Sequence, residues 1–374
     1  MINSVFGLIY TGENNPRMRD LTLSRAVAAL PFGGRYRSVD FILSDMVHSG
    51  ITSVGLITQK NYHSLMDHLG AGKEWDLHRK REGLFMLPPF LTKENTGLYR
   101  GSVDALRSCM GYARRCPQQY VLLSGSHTIF NTDFRGMFEQ HIKTGADITL
   151  MYNEDSSFDP EDQNMDLRLI MDDKGRVTEM EFDPYRPRTD CQCCDVIIMD
   201  KLLLEDLVEE AYARGEYDFF RDILLKKCAS LKIYGYRYGG YVARLNSVSS
   251  YFKHNMALLD PAVRADLFNR ERPVYTKVKD EVSARYGAEA RVTNAMLADG
   301  CDINGTVEDS ILFRGVKIGR GTVVKNSLLL QGVTVGENCT LDHVVLDKGA
   351  TIRDGRTLIG YDGFPIILRK NATI

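Results

Sequence analysis

The chain has 374 residues, a formal net charge of −2, 44% apolar residues and 26% charged ones. That length supports two domains with sizeable cores, and the near balance of charge argues against a protein that binds nucleic acid or a membrane surface through basic charge. No apolar run is long enough to span a bilayer and the N-terminus lacks a signal-peptide pattern, so the expected location is the cytoplasm.

In chain order, residues 5–10 form an apolar run that opens into Thr11-Gly12, the pattern of a buried strand feeding a loop. A helical stretch follows over 41–49, then a second buried strand over 54–58. A helix over 103–113, a strand over 120–125 and a strand over 147–152 continue the alternation. Strands alternating with helices predict a mostly parallel sheet covered on both faces. Ligands of such sheets bind at the carboxyl ends of the strands, which puts the loops after Tyr10, Thr58 and Ser124 on one rim.

The eight cysteines include one cluster, Cys191, Cys193 and Cys194, whose spacing fits no standard zinc site. In a reducing compartment these thiols stay free and serve as small buried apolar groups.

Residues 260–285 are charged, carry Pro261 and Pro273, and read as a connection between a domain over 1–259 and a second over 286–374. There the pattern changes. Gly315, Gly332 and Gly349 each open a similar segment, Val324 matches Leu341, and Leu328 matches Val345, a period of 17 residues. A slightly slipped copy begins near Gly300 with Cys301-Asp302-Ile303. Short glycine-punctuated repeats of this kind stack into a parallel β-helix, each turn covering the edge of the one before.

The segment Leu30-Pro31-Phe32-Gly33-Gly34-Arg35-Tyr36-Arg37-Ser38-Val39-Asp40-Phe41 closely resembles the glucose-1-phosphate adenylyltransferase (ADP-glucose pyrophosphorylase) family. Further matches are Thr58-Gln59, Trp75-Asp76, Leu87-Pro88-Pro89, Tyr99-Arg100-Gly101-Ser102-Val103-Asp104-Ala105 and Leu123-Ser124-Gly125, and the likeness runs over nearly the whole chain. It implies a Rossmann-like nucleotide-binding α/β domain followed by a left-handed parallel β-helix. It also implies a reaction: a sugar phosphate oxygen attacks the α-phosphorus of ATP, and pyrophosphate leaves. Rate in such chemistry comes from positioning and charge neutralisation, much of the latter by a magnesium ion on carboxylates.

Set against that requirement, four motif elements depart from the family, the first being the phosphate loop together with the segment that follows it. The phosphate loop Gly-Gly-x-Gly-Thr-Arg-Leu corresponds to Gly12-Glu13-Asn14-Asn15-Pro16-Arg17-Met18. Only Gly12 and Arg17 remain, Glu13 adds a negative charge, and Pro16 removes a backbone donor. The lysine of the following Arg-Ala-Lys-Pro segment is Val27. The metal-binding aspartate of the Gly-Asp-His motif is Ser126, in Ser124-Gly125-Ser126-His127. The sugar-phosphate lysine aligns with Asp183, and the second metal aspartate aligns with Arg244. His127 falls where the family keeps a histidine for structural reasons. Gln59, Gly101, Asp104 and Asp218 match positions that face nucleotide or sugar, and Phe220 replaces a glycine, where it would crowd the sugar pocket.

The resemblance is closest to the family's non-catalytic regulatory subunits in bacterial glycogen synthesis. It implies a chain that is inactive alone, binds no metal itself, and joins a catalytic paralogue in a hetero-oligomer, a tetramer, with magnesium only in that partner. Arg25, Arg35, Arg37 and Tyr99 are the candidate positions for a phosphorylated sugar or nucleotide effector, since planar guanidinium groups suit phosphate. Two other readings stand beside this one. The first is an active adenylyltransferase using Asp20 or Glu13 as metal ligands, and the second is a stand-alone sugar-nucleotide sensor.

Overall fold

The structure, a computed structural model, describes residues 2–12, 15–89, 98–155 and 166–374. Glu13 and Asn14 of the loop after the first strand therefore lie outside the described residues.

The chain opens with β1 (Val5–Tyr10), then a hairpin of β2 (Pro31–Phe32) and β3 (Tyr36–Arg37) leads into α1 (Ser38–His48). Next come β4 (Ser53–Ile57), α2 (His63–Leu69), β5 (Gly83–Leu87), α3 (Ser102–Arg115), β6 (Tyr120–Ser124) and β7 (Thr128–Ile129). They are followed by α4 (Arg135–Thr144), β8 (Ile148–Glu154), β9 (Leu167–Met171), β10 (Val177–Phe182), β11 (Cys191–Asp200) and α5 (Lys201–Ala213). The domain ends with α6 (Leu225–Lys227), β12 (Ile233–Arg237), β13 (Ala243–Arg244), α7 (Val248–Met256) and α8 (Pro261–Leu267).

Strands β6, β1, β4 and β5 form the parallel half of a nine-stranded sheet. β11 is antiparallel to β6 and β8, so the sheet is parallel on the side that carries the expected loops and mixed beyond it. Period-2 alternation explains why β1 is apolar throughout. Phe6 and Leu8 enter one layer with Val103 and Leu207, while Val5 and Ile9 enter the other with Val39, Ile42 and Met137. A strand buried on both faces must be apolar at every position, with about 1.5–3 kcal/mol gained per large side chain buried. Register pairs Tyr10 with Ile57 and Ile9 with Ser124, which brings the ends of β1, β4 and β6 to one rim.

The second domain is a three-faced parallel β-helix whose first rung starts at Arg285–Tyr286. On one face Asp302 pairs with Lys317, Lys317 with Thr334 and Thr334 with Thr351, steps of 15, 17 and 17 residues. The short step from Asp302 to Lys317 is the slipped repeat seen in the sequence. The matched pairs Val324–Leu341 and Leu328–Val345 are true register partners. Ile303, Ile318, Val335 and Ile352 stack in the interior.

The third face joins the domains by the same alternation. Leu312 and Leu329 point into the β-helix, whereas Ile311, Leu328 and Phe313 share a core with Phe32, Phe41, Tyr251 and Leu258. The connecting stretch contributes to this core: Leu267 of α8 is fully buried in it. The Gly33-Gly34 pair turns the β2–β3 hairpin with φ of 58° and 85°, backbone that side-chain-bearing residues rarely adopt. The turn delivers Arg35 and Arg37 to the β-helix.

Candidate functional site

At the rim, Gly12 follows β1, and a Cβ there would lie 2.8 Å from the Tyr10 ring, so the tyrosine covers the loop's first glycine. The loop then turns into a short helix capped by Asn15, whose side chain accepts from the Arg17 N–H at 3.0 Å. Val27 is buried in the interdomain core, so no cation reaches in from the family's lysine position. A cleft of about 330 Å³ remains, lined by Thr11, Gly12, Arg19, Asp20, Arg25 and Lys60 among others.

Two of the altered motif positions come together in space. β7 pairs with β13 so that Arg244 sits opposite Thr128, and Leu245 donates its N–H to the His127 carbonyl at 2.8 Å. Ser126 is fully buried just before this ladder. The Arg244 guanidinium is buried too. It donates to the Asn153 side chain and to the Cys193 carbonyl at 3.3 Å, and lies 3.8 Å from the Asp155 carboxylate. It thereby ties β13 to β8 and β11. A buried hydroxyl and a guanidinium are poor ligands for magnesium, and Asp155 is already engaged by Arg244. Among the described residues no group of three or more His, Cys, Asp or Glu could hold a metal.

Asp183 stands apart at the β9–β10 hairpin, in a left-handed conformation with φ 48°. Its carboxylate accepts the Asp166 N–H at 2.8 Å, and burial raises its pKa, an effect that this bond opposes and the Asp166 charge reinforces. Asp166 in turn accepts from Arg168 and Gln192, and the Gln192 carbonyl faces Arg244. The anion at position 183 thus belongs to a structural network that reaches the Arg244 site through Gln192.

Gln59 donates to the Tyr99 carbonyl at 2.9 Å. Asp104 pairs with Arg100 at 3.2 Å, and Arg100 stacks on Tyr217. A Cβ on Gly101 would lie 2.3 Å from the Tyr217 carbonyl oxygen, so only glycine allows that approach. Asp218 caps the helical turn Phe219–Leu224 by accepting from the Arg221 N–H at 2.8 Å. These four positions hold backbone and neighbouring side chains.

Asp195 is the site residue that motif reading overlooked. A bulge in β11 between Cys193 and Ile197 turns it to φ 56°, and its carboxylate meets His127 Nε2 at 2.8 Å. The one signal available was an acid inside the apolar run 191–199. Gly125 leaves room for the pair, since a Cβ there would be 3.0 Å from Asp195. Above it, Ser124, Gly125, Tyr10, Leu106, Phe219 and Phe220 line a pocket of about 60 Å³. Its mostly apolar walls leave sugar hydroxyls few partners. Phe220 forms part of its wall. Nearby, Cys193 and Cys194 are buried and all eight cysteines are free thiols.

A second region gathers charge between the domains. Arg25, Arg35, Arg37, Lys277, Lys279, Arg314 and Lys348 line one cavity, with no acid among the lining residues. Arg25 is held by Asp347 through two 2.8 Å contacts and Arg35 by Asp299 at 3.1 Å. Arg37, Lys279, Arg314 and Lys348 make no ion pair among the described residues. Burial lowers the pKa of Arg37 and of Arg314. Burial, then the charges of Arg37, Lys279, Arg25 and Lys370, push Lys348 down to about 8. The repeat explains the array: Arg314, Gln331 and Lys348 each stand two residues beyond the register partners Leu312, Leu329 and Leu346, one corner on three successive turns. Tyr99, grouped with these arginines in the sequence, is elsewhere. It is buried in the core under α3, with its hydroxyl accepting from Ser108.

A parallel sheet with its loops at the carboxyl edge, followed by a β-helix, defines a two-domain nucleotidyltransferase architecture. The nucleotidyl transferase family matches residues 6–234, and the GlmU-like C-terminal hexapeptide family matches residues 279–364. The glycogen biosynthesis protein GlgD of Bacillus subtilis (strain 168) is 36% identical over 324 residues, covering 86% of this chain and 83% of that protein. GlgD of Geobacillus stearothermophilus is 37% identical over 324 residues, covering 87% and 84%. The glucose-1-phosphate adenylyltransferase of Pseudothermotoga lettingae is 33% identical over 327 residues, covering 86% and 77%. The chain belongs to the nucleotidyl transferase family, in the group formed by GlgD proteins and glucose-1-phosphate adenylyltransferases.

Proposed function

We propose that this chain is a catalytically deficient, regulatory subunit of glucose-1-phosphate adenylyltransferase in glycogen biosynthesis, acting in the cytoplasm on a catalytic paralogue. The observation that carries the reading is Arg244: the residue at the second metal position is a buried cation locked onto Asn153, Asp155 and β11. With Ser126 at the first position, magnesium has no carboxylate anchor here, and the metal belongs to the partner. The scaffold around this site is complete, which suits a role in a hetero-oligomer. The interdomain cations supply the regulatory site, where a phosphorylated sugar or nucleotide is recognised by charge-assisted hydrogen bonds.

The test is an ADP-glucose synthesis assay with ATP, glucose 1-phosphate and magnesium, on the chain alone and mixed with a catalytic paralogue. Negligible turnover alone, with altered kinetics and co-elution on mixing, is the expected result. Robust turnover alone would favour the second reading, an active enzyme with atypical ligands, for which Asp20 on the cleft wall is the available carboxylate.

A further inference from the structure

We propose that Lys348 is a covalent modification site, acylated by small acyl phosphates that bind in the interdomain cavity. The inference rests on the reading of that cavity as a phosphate site. Lys348 lines it beside Arg25, Arg37, Lys279 and Arg314. It makes no ion pair among the described residues, the neighbouring Asp347 carboxylate being held by Arg25, and the positive charges of Arg37, Lys279, Arg25 and Lys370 disfavour its ammonium form. An ordinary exposed lysine is almost wholly ammonium at neutral pH and so a poor nucleophile. Half-burial among like charges shifts Lys348 toward the neutral amine, with a pKa of about 8. Buried lysines beside other cations are activated as nucleophiles in this way.

The same cations select the reagent. An acyl phosphate carries a dianionic phosphate joined to an electrophilic carbonyl. Guanidinium groups hold the phosphate, and the carbonyl is then kept at high effective concentration beside the amine. The Nζ lone pair attacks the carbonyl carbon and the C–N bond forms. The bond from that carbon to the phosphate oxygen breaks, and phosphate departs with the electron pair and takes up the proton that nitrogen loses. The products are an amide and hydrogen phosphate, with no oxidant or reductant required. Acylation removes one positive charge from the cavity, so it weakens later anion binding.

The test uses the full chain with acetyl phosphate at neutral pH, read by peptide mass mapping, with exposed Lys174 and Lys317 as internal references. Lys348 should acetylate at least about tenfold faster than either, because far more of its amine is neutral. Excess inorganic phosphate should slow Lys348 alone. A neutral acetylating ester should show a smaller preference, insensitive to phosphate, and Arg314→Gln should bring the acetyl phosphate preference down toward that level. If the variant fails to fold, protection by phosphate on the unaltered chain decides the matter. Phosphate binding is measured in parallel by calorimetry. Binding without faster acetylation at Lys348, or faster acetylation that phosphate does not slow, overturns the acylation proposal and leaves the phosphate site standing. Absence of phosphate binding overturns both.

Discussion

On β13, opposite Thr128, Arg244 commits its guanidinium to Asn153, Asp155 and the β11 backbone. In the cavity between the domains, Arg37, Lys279, Arg314 and Lys348 make no ion pair with an acid among the described residues. Both regions are rich in cations, yet they differ in kind. A buried charge with several partners acts as a strut, and removing it costs stability. A group of cations held by neutral acceptors, as Arg37 is by Ser64 and Arg314 by the Arg35 carbonyl, keeps its mutual repulsion and gains most when an anion arrives. The first region holds its cation as structure, while the second leaves several of its cations without an acid in contact among the described residues.

That contrast is most exposed to failure at Arg244. Arg244→Asp should destabilise the fold by about 4 kcal/mol, because it puts a second carboxylate beside Asp155 and leaves Asn153 and the β11 carbonyls without their donor. Denaturant unfolding measures this, and a change near zero would show that Arg244 is no strut. Arg25→Ala and Asp347→Ala should each lower stability by about 3 kcal/mol, since either leaves a buried charge unpaired across the domain interface. The double variant should lose clearly less than the sum, which a double-mutant cycle reads directly.

The cavity should respond in the opposite sense. Arg314→Glu is expected to weaken phosphate binding by at least tenfold, about 1.4 kcal/mol, with little change in unfolding stability. Titration calorimetry and denaturation on the same variant check both halves. Lys348 supplies a pH signature. Folded, it binds its proton less tightly (about 8) than the unfolded chain does (10.5), so the unfolded state holds more protons between those values. Its contribution to stability therefore rises with pH across that window, while phosphate affinity declines above about pH 8 as the charge is lost. Lys348→Met should remove both trends. The smallest effect concerns activity: Ser126→Asp alone should give no measurable ADP-glucose synthesis, since Arg244, Asp183 and Phe220 remain. Robust turnover from that single change would break the comparison at its root.

Periodicity made much of the fold legible. Alternation of buried strands and helices marked the parallel half of the sheet, and aligned glycines and aliphatics marked the β-helix, down to the register pairs Val324–Leu341 and Leu328–Val345. Ser126 and Arg244 drew attention in the sequence because they fall inside short motifs, and the structure places both, buried, about the β7–β13 ladder. Asp195 was not, because a bulge rather than a motif turns it toward His127. Tyr99 was placed among the effector arginines by its motif, yet the packing of α3 buries it.

The sequence by itself determined the two-domain order and the 17-residue repeat, because local periodicity suffices for these. Only the tertiary structure decided what the cations do. Arg25, Arg37, Lys279, Arg314 and Lys348 span more than three hundred residues of chain, and no local pattern links them. They meet because one face of the β-helix packs on the α/β domain, setting a corner that recurs every turn against the Gly33-Gly34 hairpin. Burial and mutual repulsion act only at that meeting, so the charge state of the cavity is a property of the assembled interface.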